Sequence, residues 1–327
     1  MKVGVVSNAL LQFPFEEGLD FLVGLGLERV EVACGGYHRN RAYGDAVTLA
    51  ADASARERWL DAIRSRGLVI SALAVHGPAM SPDRAVAEES DRDFRAACEL
   101  GAQIGVDRLT VLGGLPEGAP GDRCGHWVVN AWPPQEQEIL KWQWEQRVIP
   151  YWSEQARIAQ AHGCRICVEI HPNTVTYNPS SFLRLRGEVG ETIGCNFDPS
   201  HLFWMGIDPL EALRVIARAG AVYHVHAKDT KVLEHVVRLD GVLDPKPFSQ
   251  LDERAWDFRT VGYGHGEPFW RDMVSILRAH GYDDVLSIEH EDDYMDPREG
   301  LEKAVALLKP LVLERPAVSS WNLTGDE

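Results

Sequence analysis

The feature that most restricts the fold of this chain is a recurring change of hydrophobic period. Short apolar runs of strand length alternate with longer stretches of helical spacing. The runs fall at residues 3–7, 29–33, 69–75, 108–112, 165–170, 193–197, 221–227 and 285–288. Helical stretches at 53–65, 85–104, 139–161, 209–219, 268–280 and 298–313 separate or follow them. Eight such alternations predict a single closed (β/α)8 barrel rather than an open doubly wound sheet. No glycine fingerprint for a dinucleotide follows residues 3–7, which weakens the open-sheet alternative further.

Alternation inside the runs says which side chains point inward. In the fifth, Ile166, Val168 and Ile170 share one parity while Cys167, Glu169 and His171 share the other; in the eighth, Leu286 and Ile288 oppose Ser287, Glu289 and Glu291. The sixth sets Asn196 and Asp198 against Ile193, Cys195 and Phe197, and the seventh puts His224, His226 and Lys228 on one side. With the apolar parity facing the helices, the polar side chains converge at the C-terminal mouth, where barrel enzymes do their chemistry. Glu169, Asp198, His226 and Glu289 are the metal-ligand candidates. Three carboxylates and one imidazole suit Mn²⁺ foremost, or Mg²⁺, with Co²⁺, Fe²⁺ or Zn²⁺ as substitutes. His226 is preferred to His224 because it is nearer the strand's rim, which leaves His224 to pack or to support. A rim salt bridge explains any one of these acids alone, but not four ligand-type residues on four successive strands.

Other residues are open to two readings. His201, just beyond Pro199, either steadies the helix that Pro199 begins or hydrogen-bonds substrate or a ligand carboxylate. His171 either approaches substrate or is structural. Lys228 and Asp229 form a surface pair, or the ammonium holds a substrate hydroxyl or an enolate. His76 and Asn8, at the ends of the third and first runs, are candidates to line the pocket. Long connections after strands four and seven, residues 113–135 and 229–265, are expected to overhang the mouth. The first offers His126, Trp127 and Trp132 to a substrate, and the second ends in a turn at 262–266. Trp142, Trp144 and Trp152 read as helix packing. Residues 1–315 are assigned to the barrel and 316–327 to a polar, loosely held tail.

Composition enters as a set of exclusions. A formal charge of −16 repels phosphate backbones and anionic membrane surfaces, so neither nucleic acid nor a membrane is expected as a partner. No apolar run is long enough to span a bilayer, and the chain enters its first strand without a signal-like stretch, so a cytoplasmic protein is expected. The six cysteines form no paired framework and read as reduced thiols; Cys164 and Cys167 have redox-motif spacing but lie in or beside a strand.

The segments Val168-Glu169-Ile170-His171, Phe197-Asp198-Pro199-Ser200-His201, His224-Val225-His226-Ala227-Lys228-Asp229 and Ser287-Ile288-Glu289-His290-Glu291 carry a resemblance. Over nearly the whole chain the sequence resembles the xylose isomerase-like TIM barrel superfamily, in its sugar phosphate isomerase and epimerase branch. The resemblance implies that Glu169 and Glu289 bind metal and also flank the substrate as acid and base, and it supports His226 as a ligand. It implies isomerisation or epimerisation of a sugar or oxo-sugar through a metal-stabilised enediolate. The lack of a glycine-rich phosphate loop favours an unphosphorylated sugar. The large subunit of bacterial C-glycoside deglycosidases is similar to this branch, which implies an alternative. There a 3-oxo-C-glycoside is cleaved by β-elimination, with a small β-rich partner subunit and an aromatic aglycone against the tryptophan-bearing loop. A homo-oligomer is the other assembly, and a non-catalytic sugar-binding barrel is the remaining reading. The DNA-cutting endonucleases that share the barrel would need more histidines and a basic surface.

Overall fold

The computed structural model describes residues 1–37 and 40–315, so the tail at 316–327 lies outside the described residues. Seven parallel strands come first: β1 (Lys2–Val6), β2 (Arg29–Ala33), β3 (Val69–Ala74), β4 (Arg108–Leu112), β5 (Arg165–Glu169), β6 (Ile193–Phe197) and β7 (Val222–Ala227). An antiparallel pair, β8 (Asp229–Val232) and β9 (Trp256–Arg259), interrupts the series before β10 (Val285–Ile288) closes the barrel between β7 and β1. The closed (β/α)8 TIM barrel expected from the alternation is therefore the fold, and the eight runs all become its strands.

The strands carry β-branched and aliphatic residues on their outer parity, so Val30, Val32, Ile166, Val168, Ile193, Cys195, Leu286 and Ile288 are buried against the helical ring. Two irregularities interrupt the regular register, between Val30 and Glu31 against β3 and between Cys195 and Asn196 against β7. Bulges of this kind re-aim side chains, and both sit where a polar residue, Glu31 or Asn196, enters the barrel interior.

Helices Phe15–Gly24, Ala46–Ala51 and Pro179–Val189 occupy intervals for which no helix was expected. The helix expected at 139–161 starts earlier. Pro134 precedes Gln135–Gln143, which runs through a π turn at Trp144–Val148 into Ile149–Ala161, so the loop after β4 ends at residue 134. Two buried indoles fasten the mouth to this ring: Trp152 Nε1 donates to Gly113 O at 3.1 Å, and Trp270 Nε1 donates to His265 O at 3.0 Å. The connection after β7 is more ordered than a loop. Strands β8 and β9 pair Thr230 with Phe258, and beside them Trp204 stacks on Trp256 at 4.5 Å to form a small separate core with Val236 and Ala255. Among the described residues no helix is long and apolar enough to cross a membrane. All six cysteines are free, and only Cys124 is exposed.

Candidate metal centre

The ends of β5, β6, β7 and β10 bring Glu169, Asp198, His226 and Glu289 together, with one potential ligand atom from each within 4.8 Å of the others. The local sequence explains how each is aimed. Glu169 is the last residue of β5. Asp198 follows β6 and caps the helix Pro199–Trp204: its Oδ1 accepts from Ser200 N at 2.8 Å, while Oδ2 finds no hydrogen-bond partner. That leaves one oxygen of a fully buried carboxylate turned to the cluster.

His226 is held from behind. Its Nε2 lies 3.2 Å from both oxygens of Glu31, whereas Nδ1, 3.3 Å from Glu169 Oε2 and 3.2 Å from Glu289 Oε2, has no hydrogen-bond partner. An imidazole that donates one N–H to a carboxylate and leaves its other nitrogen facing acidic oxygens is prepared to bind a cation. Glu31 in turn accepts from Thr110 Oγ1 at 2.7 Å and pairs with His224 Nε2 at 2.6 Å. His224 thus stands one layer deeper, behind Glu31.

The electrostatics favour the same occupant. Glu31, Glu169, Asp198 and Glu289 are all at least nine-tenths buried, and among the described residues the one buried lysine ammonium is that of Lys228, beside Glu289. Burial opposes the charge of Glu169, but the imidazoles of His201, His226 and His76 around it hold its carboxyl well below the ordinary range. Glu289 shows the same balance, with burial outweighed by Lys228 and His226, and so does Glu31, through His224 and His226. For Asp198 burial prevails and raises the carboxyl. Burial disfavours a charged His226, yet Glu31 and Glu289 draw its proton affinity up. A field that pulls a proton onto a buried imidazole is one that a divalent cation would neutralise. The residues therefore fit a hard divalent ion.

The remaining expected site residues separate into two groups. Four stand at the cluster or beside it. His201 Nε2 is 3.1 Å from Glu169 Oε1 and 3.5 Å from Asp198 Oδ2. His76 Nε2 is 3.2 Å from Glu169 Oε2. Lys228 Nζ is 3.4 Å from Glu289 Oε2, pairs with Glu291 and sits 4.2 Å from the centre of the Phe258 ring. The His171 ring lies tilted against that of His201 with centroids 4.1 Å apart, and burial with the neighbouring His201 pushes its pKa down to about 3. Three residues do otherwise. His126 and Trp127 lie in the loop after β4, where His126 Nε2 meets Glu136 Oε2 at 2.9 Å and Trp127 packs edge-on against Tyr177.

Asp229 corrects the expectation of a surface pair with Lys228, for both side chains are buried and Asp229 faces a neighbouring turn instead. Its Oδ2 accepts from the backbone of Gly262, Gly264 and His265 at 2.8–3.0 Å, and its Oδ1 from Thr230 N at 2.8 Å and His265 Nδ1 at 2.9 Å. Both oxygens are spent on shaping the 262–265 turn. A side chain on Gly264 would collide with Asp229 and Thr230, so glycine is required for that approach.

Sequence reading missed Glu31 and Phe258, and it turned Asn196 inward without giving it a role. Asn196 Nδ2 donates to Glu169 Oε2 at 3.0 Å, and Phe258 meets His201 edge-on at 5.5 Å while covering Lys228. The signal for Glu31 was present in β2, where a lone acid alternates with Val30 and Val32. Asn8, considered as pocket lining, has Nδ2 3.4 Å from Glu289 Oε1.

A family model described as the xylose isomerase-like TIM barrel matches residues 19–311. The chain belongs to the xylose isomerase-like TIM barrel family. Within this family, the uncharacterized protein YfiH of Bacillus subtilis is 33% identical over 320 residues, covering 95% of this chain and 99% of its own. Two solved structures are similar in fold. One is a probable 3-DHS dehydratase, AsbF, from Bacillus anthracis, with TM-score 0.66 and 17% identity over 94% of this chain and 99% of that one. The other is the 3-keto-D-glucoside 4-epimerase YcjR from E. coli, with TM-score 0.64 and 14% identity over 95% and 99% of the two chains.

Proposed function

We propose that this protein is a divalent-metal-dependent enzyme that isomerises or epimerises a free sugar or oxo-sugar by moving a proton at the carbon beside a carbonyl. The observation that carries the reading is the convergence of Glu169, Asp198, His226 and Glu289, with Asp198 Oδ2 and His226 Nδ1 buried and without hydrogen-bond partners. These four residues would hold a divalent cation, Mn²⁺ foremost, which would supply the Lewis acidity that makes a C–H beside a carbonyl acidic.

The chain's own residues divide the remaining work. Glu289 is the better proton carrier, because its Oε1 has a single long contact, Asn8 at 3.4 Å, whereas both oxygens of Glu169 are engaged by His201 and Asn196. Glu169 serves as the opposite acid or base on the other side of the substrate. Lys228, buried beside Glu289, balances the charge that an enediolate acquires. His201 and His171 offer ring nitrogens to sugar hydroxyls, and Phe258 limits the entry of water. The 3-keto-D-glucoside 4-epimerase of E. coli, similar in fold, supports this chemistry, since such an epimerase inverts a carbon of an oxo-sugar.

A second reading is expulsion of a β-substituent from the same enolate, as in C-glycoside cleavage. It is favoured by an aromatic-walled cavity of about 240 Å³ lined by Trp127, Tyr177 and Trp144. Incubating Mn²⁺-loaded protein in D₂O with free ketoses, 3-oxo-glucose and a 3-oxo-C-glycoside separates the two. Deuterium in a sugar with an intact skeleton supports the first reading, released aglycone supports the second, and neither product from any substrate refutes both.

A further inference from the structure

The aromatic-walled cavity lies away from the four ligand residues, between the loop after β4 and the helix Pro179–Val189. We infer that it is a binding subsite for an aromatic ring bearing a carboxylate. Its walls are Trp127, Tyr177, Trp144, Leu115 and Val128, with Arg184 at the edge. Trp127 stands edge-on to Tyr177 at 5.6 Å, and the Arg184 guanidinium lies 4.1 Å from the centre of the Trp144 ring. The volume of about 240 Å³ exceeds the roughly 150 Å³ of an apolar cavity that accepts benzene, which leaves room for a ring and a small substituent.

Arg184 defines the substituent. Its guanidinium, exposed on the helix and held over Trp144, has no ion-pair partner among the described residues, although the chain carries a charge of −16. A neutral ring would leave that charge unpaired, whereas a ring bearing a carboxylate pairs with it and packs against the aromatic walls as well.

The cavity is also preformed. Gln143 Nε2 donates to the carbonyls of Pro116, Glu117 and His126 at 2.8–3.2 Å, and the His126–Glu136 pair ties the same loop to the helix that follows it. A wall fixed in this way needs little ordering when a ligand enters. Leu115 and Thr174 line both this cavity and a second one of about 370 Å³ that reaches His171, whose ring lies tilted against His201 beside Glu169. The aromatic subsite thus borders a cavity that extends toward the metal centre, and none of the four ligand residues lines either. That it takes the aromatic portion of the enzyme's own substrate rests on the second reading above, in which a C-glycoside is cleaved.

The test is a calorimetric titration of the full chain with 4-hydroxybenzoate and its neutral counterpart, 4-hydroxybenzyl alcohol, both with Mn²⁺ loaded and after chelation. The expected result is saturable one-to-one binding in both states, with the carboxylate preferred about tenfold. Arg184→Gln, on an exposed helix face, should abolish that preference, and Trp127→Phe, which keeps the aromatic surface, should weaken both probes several-fold at an unchanged melting temperature. Absence of saturable binding overturns the assignment, as does binding indifferent to both substitutions. The readout needs neither metal nor turnover, so failure of the metal-dependent reading in D₂O leaves this result standing, and the reverse also holds.

Discussion

Glu31→Gln tests whether the acid behind His226 prepares the metal ligand. Glu31 is completely buried, places both oxygens 3.2 Å from His226 Nε2, and is itself fixed by Thr110 at 2.7 Å and His224 at 2.6 Å. Glutamine preserves the shape but removes the charge and sets an amide NH₂ where an acceptor stood. Loss of such a supporting carboxylate lowers metal affinity about 10- to 100-fold, or about 1.4–2.7 kcal/mol. The upper part of that range is expected here, because both Glu31 and His226 are fully buried. Thr110→Val is the control: it removes one neutral hydrogen bond to Glu31 and leaves the charge, so it should cost less than about tenfold. Mn²⁺ affinity measured by competition with a chelating dye, alongside circular dichroism to verify folding, gives the answer. A folded Glu31→Gln protein with wild-type Mn²⁺ affinity would refute the reasoning.

The other predictions concern residues with separable jobs. Asp198→Ala should empty the site of metal at micromolar Mn²⁺, read by elemental analysis after gel filtration; full occupancy would remove Asp198 from the ligand set. Glu289→Gln should leave a folded barrel whose deuterium exchange falls about 100- to 10,000-fold, and unchanged exchange in a metal-loaded sample would assign the proton transfer elsewhere. Asp229→Ala should release the 262–265 turn by stripping several buried amides of a charged acceptor, at a cost of about 3 kcal/mol. Proteolysis should then cut first near Tyr263, and a wild-type cleavage pattern and melting temperature would show that the clamp is dispensable.

Much of the barrel was legible because its signals are local. Strand length, parity and the strand-end acids of Glu169, Asp198 and Glu289 can be read one segment at a time, and parity placed His226 on the inward side with them. What escaped depends on neighbours distant in sequence. Glu31 acquires its role from His224 and His226, 193 and 195 residues away, and no pattern within β2 names those partners. Phe258 reaches the mouth only because β8 and β9 pair, a hairpin hidden by the polar residues between them. Asp229 shares the sequence context of Lys228 but not its direction: one more residue along the chain turns its carboxylate to the amides of 262–265. Trp127 was legible only as an aromatic residue of a long loop, and its separation from the metal cluster follows from its packing against Tyr177.

The central claim is that Glu169, Asp198, His226 and Glu289 form one divalent-metal site. The most direct measurement is anomalous diffraction from Mn²⁺-soaked crystals, recorded on both sides of the manganese absorption edge. The account predicts a single strong peak enclosed by those four side chains, with His226 Nδ1 toward the ion and Nε2 toward Glu31. A peak between Glu31 and His224, or no peak at saturating Mn²⁺, would contradict it.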